Sequence, residues 1–423
     1  MIAAVLRILL LFKHPELSDD LFRYQFDGLM MLDGISPYAA APLAATISNP
    51  AIAALVPRIN HSHLTTLYPP AAQLIFACGA FAGGVIGMKT VLIFVDLVVC
   101  CLILGILRRL GLPDARLILY AWHPLALIEI GASGHIETAA LCFILITLFI
   151  TLGREASDPI VKKSGTELGK HYGITRAFLS GSCFAGAVLV KWIPLLFFPG
   201  IILLVPSPKR KFWFFGFGLT GVFLIYPFWP HIKAGFATLF VYLANWEFAG
   251  FGFRMLRQLT GFGLTARLIL TIFGASSVGL IYTNVFLRGS LKKPFLSVRS
   301  QPGSPNPLRI IQAFYATVMI FLLTTPTLHP WYGLYLVFLL PFAAGPSGVV
   351  LSWSVFLDYH VLIPYHVAGQ WVEDDWPPLL IVAAPVLAGI ISGFFSANST
   401  RNQRSFFKMA ASIDFNDTIP PIR

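Results

Sequence analysis

The sequence predicts an all-α integral membrane protein, a polytopic transmembrane bundle of about 11–13 spans. Composition is the first observation behind that prediction. Hydrophobic residues fill 57% of the 423 positions and charged residues only 12%, against roughly 25% in soluble domains. Mean hydropathy is +0.76. Second, the apolar residues lie in long runs, whereas a membrane barrel would show short segments of alternating hydrophobicity. Third, positive charge is segregated. Twenty of the 30 Lys and Arg fall in 108–116, 153–176, 209–211, 287–309 and 398–423, which read as cytoplasmic loops under the positive-inside rule. The net charge of +11 is therefore a topology signal. No basic patch interleaved with aromatic residues forms a nucleic-acid module.

The first apolar run, Met1 to Phe12, falls short of the about 20 residues a crossing needs. The reading frame is therefore expected to begin inside a longer helix. Residues 13–67 follow without an apolar run long enough to cross. The next run opens Tyr68-Pro69-Pro70 and ends at Lys89; proline suits a helix start, where its missing N–H costs little. Parity decides its placement. With 13–67 outside and 108–116 inside, an odd number of spans lies between, yet two apolar runs occupy the interval. Residues 68–88 therefore read as a juxtamembrane or re-entrant helix, and the first outer loop as 13–88.

Further apolar runs lie near 89–107, 116–131, 136–152, 177–190, 192–205, 213–229, 264–287, 310–328, 333–344, 349–366 and 378–397. Several are short enough to be broken or tilted. Alternation with the basic loops puts 133–137, 191–192, 230–262, 329–332 and 370–378 outside. Residues 1–397 thus form one transmembrane domain and 398–423 a short cytoplasmic tail. The five cysteines, Cys78, Cys100, Cys101, Cys142 and Cys183, sit in apolar stretches without metal-ligand spacing and read as small core residues. No cleavable signal peptide appears, and none of the Walker A, GxGxxG, HExxH or GxSxG motifs is present.

The polar residues gather on one side. Eleven of the 19 acidic residues fall in the outer set: Glu16, Asp19, Asp20, Asp27, Asp33, Glu129, Glu137, Glu247, Glu373, Asp374 and Asp375. His61, His63, His135, His329, Lys191, Arg254 and Arg257 join them, a mixture suited to an active site. Asp19 and Asp20 directly follow the first helix, with Arg23 and Tyr24 one turn on. Two readings stay open: a capped amphipathic helix with Arg23 as ion partner, or a general base whose pKa is raised by its neighbouring charge.

Lys191 interrupts the run 178–205 just before Pro194. It either snorkels to the interface or meets an anion at a break between helices; the short flanks favour the break. His329-Pro330-Trp331-Tyr332 is a similar break, either an aromatic anchor or a sugar-binding turn. Ser133–Glu137 is a tight turn at Gly134, in which His135 and Glu137 either support a site or cap the helix. Glu373-Asp374-Asp375, between Trp371 and Trp376, reads as a solvated loop at the interface. Asp96 and Asp358 lie inside spans and each needs a helix partner.

Five stretches together resemble the polytopic GT-C glycosyltransferases, and among them the bacterial mannosyltransferases related to glycosyltransferase family 87. They are SDDLFRYQFDG with GISPYAAAP (18–42), INHSHLTTLYPPAAQ (59–73), LYAWHPLALIEIGASGHIE (119–137), LVKWIPLLFFP (189–199) and HPWYGLYLVFLLP (329–341). The resemblance implies a bundle of GT-C type with juxtamembrane helices in the first outer loop. It implies transfer of a sugar, mannose, from a polyprenyl-phosphate donor to a lipid-linked or glycan hydroxyl acceptor. The transfer inverts the anomeric carbon at the periplasmic face of a bacterial inner membrane. In the family the catalytic Asp follows the first helix with a Tyr four residues on, so Asp20 with Tyr24 is the implied base and Asp19 the fallback. Lys191, His329, Arg254 and Arg23 match positions implied to hold the donor phosphate. Asp27, His135, Glu137, Trp331 and Tyr332 complete the implied substrate-binding set. No obligatory cofactor or metal is expected, although some GT-C enzymes use a divalent ion and Asp19 and Asp20 form a sparse carboxylate pair. The soluble C-terminal domain of some relatives has no counterpart after Asn398.

The chemistry agrees with that implication. Inverting transfer needs one base and a good leaving group, and a cation such as Lys191 stabilises charge on a departing phosphate. A nucleotide-sugar donor would call for a cytosolic nucleotide-binding fold. Two other functions remain in play. A transporter or lipid flippase would use Asp96, Glu129 and Asp358 as a relay, though no internal repeat appears. A lipid-linked glycan polymerase or ligase would place paired arginines in a late outer loop.

Overall fold

The computed structural model describes residues 2–153, 172–289 and 306–411. Of the expected cytoplasmic segments, 154–171, 290–305 and 412–423 lie outside the described residues. Among those described the chain is all-helical, with only isolated bridges joining Phe248 and Ala249 to Thr327. Six helices are long and apolar enough to cross a membrane: Gly84–Arg109, Ser207–Phe228, Gly263–Leu287, Pro307–Thr324, Pro346–Ala368 and Trp376–Phe394. The count is seven if the bent pair Pro124–Ala132 and Glu137–Leu152 is one span. Five more apolar helices, Ile2–Leu11, Pro70–Phe81, Ile174–Val190, Ile193–Leu204 and Ile232–Asn245, have only 10–17 residues. The number of apolar elements therefore exceeds the number of helices that cross unaided, because breaks divide the runs. Lys191 is one such break, in extended conformation between Ile174–Val190 and the turn at Ile193.

The first helix is fastened from both ends. Arg7, fully buried, forms an ion pair with Asp96 of Gly84–Arg109 and donates to the carbonyls of Ala3 (3.0 Å) and Ala121 (2.9 Å). Asp96 also accepts from Tyr120 and, at 3.3 Å, from Thr138. At the other end the buried Lys89 ammonium donates to the carbonyls of Leu10 (2.8 Å) and Lys13 (2.7 Å), at and just beyond the end of the helix.

Two shorter helices pack against this frame. Asp20–Leu32 packs along Pro70–Phe81, and the second begins with proline. Pro70–Phe81 is 12 residues long, about 18 Å at 1.5 Å per residue, too short for a hydrocarbon core of about 30 Å. The helices touch at Gly28, where an added Cβ would lie 2.2 Å from the Phe76 carbonyl oxygen. Deeper in the bundle, Ile174–Val190 packs between Glu137–Leu152 and Arg210–Ile225.

Candidate active site

Asp20 is the first residue of its helix, and its N–H donates to Ser18 Oγ at 3.2 Å. Its Oδ2 accepts from the Tyr68 hydroxyl at 3.0 Å and the Tyr24 hydroxyl at 3.4 Å. Tyr24 stacks on Phe76 (4.3 Å) and meets Tyr68 edge-on (5.1 Å), so packing holds both hydroxyls in place. The turn carrying Tyr68 is fixed from behind. Gln73 Nε2 donates to the Tyr68 carbonyl (3.2 Å) and to Asp27 Oδ2 (3.3 Å), while Asp27 also holds Arg23 at 2.9 Å. Arg23 in turn donates to the Leu64 carbonyl at 3.1 Å. Asp27 is fully buried, whereas the Asp20 side chain keeps 31% of its surface accessible. Enclosure nevertheless raises the Asp20 carboxyl above the usual range, opposed by the Lys191 charge and the Tyr68 hydrogen bond.

The second wall comes from the bent pair Pro124–Ala132 and Glu137–Leu152, which meet at 119°. A π-turn over Leu127–Ala132 and a left-handed Gly134 (φ 74°) reverse the chain. A side chain at Gly134 would also strike Leu21, with its Cβ 2.7 Å from Leu21 Cδ1. The reversal gathers Glu129, His135 and Glu137, all fully buried. His135 Nδ1 lies 3.9 Å from Asp20 Oδ2 and Nε2 lies 3.4 Å from Glu129 Oε2. Glu129 accepts from the Tyr359 hydroxyl at 2.7 Å. Glu137 forms an ion pair with Lys191, whose ammonium lies 5.7 Å from the Tyr68 ring and 5.5 Å from that of Tyr332. Both ring nitrogens of His135, Glu129 Oε2 and Glu137 Oε2 have no hydrogen-bond partner. Buried polar atoms are normally paired, so these four leave hydrogen-bonding capacity unmet in one cluster.

An aromatic file leads away from this point. His135 stacks on Trp331 (4.1 Å), Trp331 on His329 (4.4 Å), and His329 on Phe248 (5.1 Å). Desolvation, with the Lys191 charge, pushes the His329 pKa down to about 3. His329 is therefore neutral at physiological pH, a hydrogen-bonding group and not a cation. Tyr332 shares a 2.8 Å hydrogen bond with Tyr242. Beside Tyr68 and Trp192 opens a shallow apolar crevice whose walls include Pro69, Leu189, Ile225 and Phe236.

Asp20, Tyr24, His135, Glu137, Lys191, His329, Trp331 and Tyr332 thus form one contiguous set. Asp19 turns away, accepting from Asn60 Nδ2 at 3.2 Å. Arg23 pairs with Asp27 instead of Asp19 or Asp20, and the two fasten the 60s loop to the helix Asp20–Leu32. Arg254 is engaged by Glu373 and by Asp375 at 3.2 Å, in a separate cluster. The acidic run expected to be merely solvated is thereby ion-paired, with Asp374 also 3.3 Å from His360. Among the described residues no group of three or more His, Cys, Asp or Glu is arranged to hold a metal. Sequence reasoning passed over the roles of Tyr68, Gln73 and Tyr242. The one available signal was Tyr68-Pro69-Pro70, which ends a loop at a helix start just as Ser18-Asp19-Asp20 does.

Residues 2–207 match the family model described as alpha-(1->6)-mannopyranosyltransferase, N-terminal domain, of the MptA/B family. That span contains Asp20, Tyr24, Tyr68, His135, Glu137 and Lys191, while the aromatic file from His329 onward lies beyond it. A comparison with curated proteins returned no match. Over residues 2–207, just under half of its length, this membrane protein is thus similar to the N-terminal domain of the MptA/B family of mannosyltransferases.

Proposed function

We propose that the chain transfers mannose from a polyprenyl-phosphate donor to a hydroxyl of a lipid-linked or glycan acceptor, with Asp20 as general base. The observation that carries this reading is the state of Asp20. Among the carboxylates gathered around His135 it alone keeps substantial exposure, 31% against none for Glu129 and Glu137. Its raised pKa makes it a stronger base than an exposed aspartate. In the transfer, Asp20 takes the proton of the acceptor hydroxyl as its oxygen attacks the anomeric carbon. The bond from that carbon to the phosphate oxygen breaks with its electron pair, polyprenyl phosphate departs, and configuration inverts.

Lys191 stabilises the charge arriving on the phosphate. It is held within reach of Asp20 by Glu137 and the rings of Tyr68 and Tyr332. The apolar crevice between Tyr68 and Trp192 suits the first isoprene units of the donor and opens beside the reacting centre. Saturation of Asp96 by Arg7, Tyr120 and Thr138 speaks against the transporter's relay. The basic loops 108–116 and 209–211 favour a site on the non-cytoplasmic face, in a bacterial inner membrane.

The test uses purified protein, radiolabelled polyprenyl-phosphate mannose and membrane lipid acceptors. Wild type transfers label, and Asp20→Asn loses about 10²–10⁴-fold in kcat, the usual worth of a general base. Transfer preserved in Asp20→Asn removes Asp20 as base. Substrate flux into liposomes without any transfer favours a transporter.

A further inference from the structure

A second, open cleft lies where three segments meet, and the transfer step makes no use of it. Phe248 and Arg254 come from the start of the helix Phe251–Thr260 and the residues before it, Asp358 and His360 from the tight turn Val355–Val361 within Pro346–Ala368, and Glu373 and Asp374 from the loop before Trp376. Most of its charges already have partners. Arg254 is engaged by Glu373 and Asp375, and His360 lies beside Asp374. Asp358 differs. It lines the cleft, is 4% exposed, and neither carboxylate oxygen has a hydrogen-bond partner. A buried, unpaired carboxylate is costly to keep, and its two acceptor oxygens suit a ligand rich in O–H donors. No grouping of metal-ligating side chains occurs there among the described residues, which argues against a cation.

Position gives the ligand a class. Phe248, on the cleft wall, is the end of the aromatic file that runs through His329 and Trp331 to His135, whose Nδ1 is 3.9 Å from Asp20. The cleft and the base are therefore joined by one continuous file of stacked rings. A saccharide with its reacting hydroxyl at Asp20 would have to lie along that file to reach Asp358. We infer that this cleft is an acceptor subsite, holding a hexose unit next to the one that receives mannose, with Asp358 accepting hydrogen bonds from its hydroxyls and Phe248 as its apolar side. The inference rests on the transferase reading above.

The test compares two synthetic acceptors, an alkyl α-mannoside and an alkyl α-mannobioside, with radiolabelled polyprenyl-phosphate mannose as donor. Asp358→Asn removes the charge. Val372→Trp fills the cleft from its rim, where Val372 is 43% exposed, and decides the matter if Asp358→Asn does not accumulate. Each variant is expected to raise the mannobioside KM by about tenfold relative to the donor KM. The monomannoside, too short to enter the cleft, shows less than a twofold change. Equal changes for both acceptors, or none for either, overturn the subsite alone. No transfer and no donor breakdown by wild type overturn the transferase reading, and the subsite with it.

Discussion

Replacing Tyr68 by Phe removes one oxygen from the cluster and leaves its packing in place. The Tyr68 ring contacts Tyr24 at 5.1 Å and Phe76 at 5.3 Å, and a Phe ring keeps both contacts. The lost hydroxyl donates to Asp20 at 3.0 Å. A hydrogen bond to a charged group is worth about 1.5–3 kcal/mol, equivalent to about one to two pH units at 1.36 kcal/mol each. Asp20 is 31% exposed, so water replaces part of the lost donor and the lower end applies, about one pH unit. The bond favours the ionised carboxylate, so its loss raises the pKa further. A base works only when ionised, and activity is lost as pH falls through the pKa. The acid limb of kcat/KM against pH should therefore move up by about one unit in Tyr68→Phe. Below the limb the rate falls about tenfold, while the plateau above it stays near wild type. Initial rates from pH 4.5 to 9 with saturating acceptor measure this. A limb that stays in place or moves to lower pH, or a lowered plateau with no displacement, refutes the assignment of Asp20 as base.

Lys191→Met should lower kcat by about 10²–10³-fold, as loss of one transition-state charge partner does. Because it strands buried Glu137, the double variant with Glu137→Gln should recover detergent-solubilised melting temperature without recovering kcat. Asp27→Asn leaves the Arg23 guanidinium, 11% exposed, without its charge partner, and should cost about 3–5 kcal/mol, read as a lowered melting temperature. Gly28→Ala forces a Cβ to within 2.2 Å of the Phe76 carbonyl. The two helices must then part, with a cost of about 1–3 kcal/mol and disturbed kcat, since Phe76 carries Tyr24.

Much of the fold is written in one-dimensional patterns. Apolar runs mark the helices, and Pro194 and Lys191 mark a break visible as a dip in hydropathy. Asp20 stands out because a carboxylate beside a membrane helix is expensive. The partnerships are harder to read. Asp96 reads as needing a helix partner, but sequence does not say which, because Arg7 lies 89 positions earlier in a run that looks merely short. Tyr68 joins Asp20 across 48 positions only after Asp20–Leu32 and Pro70–Phe81 have packed. Arg254 is an implied phosphate ligand only through the family resemblance, and the sequence does not show Glu373 folding back onto it. Local chemistry is visible in sequence, whereas the pairing of charges is decided by tertiary approach.

The buried pair of Arg7 and Asp96 also has a consequence for biosynthesis. Arg7 leaves the ribosome long before the carboxylate that neutralises it. Each charge alone opposes lipid insertion by about 2.5–3.5 kcal/mol at mid-bilayer. The first helix therefore has little reason to settle in the hydrocarbon until Gly84–Arg109 emerges, and the two enter as a charge-compensated unit. Asp20 is tethered just after that helix and inherits the delay: its carboxylate reaches its final depth only once the third apolar segment has been made.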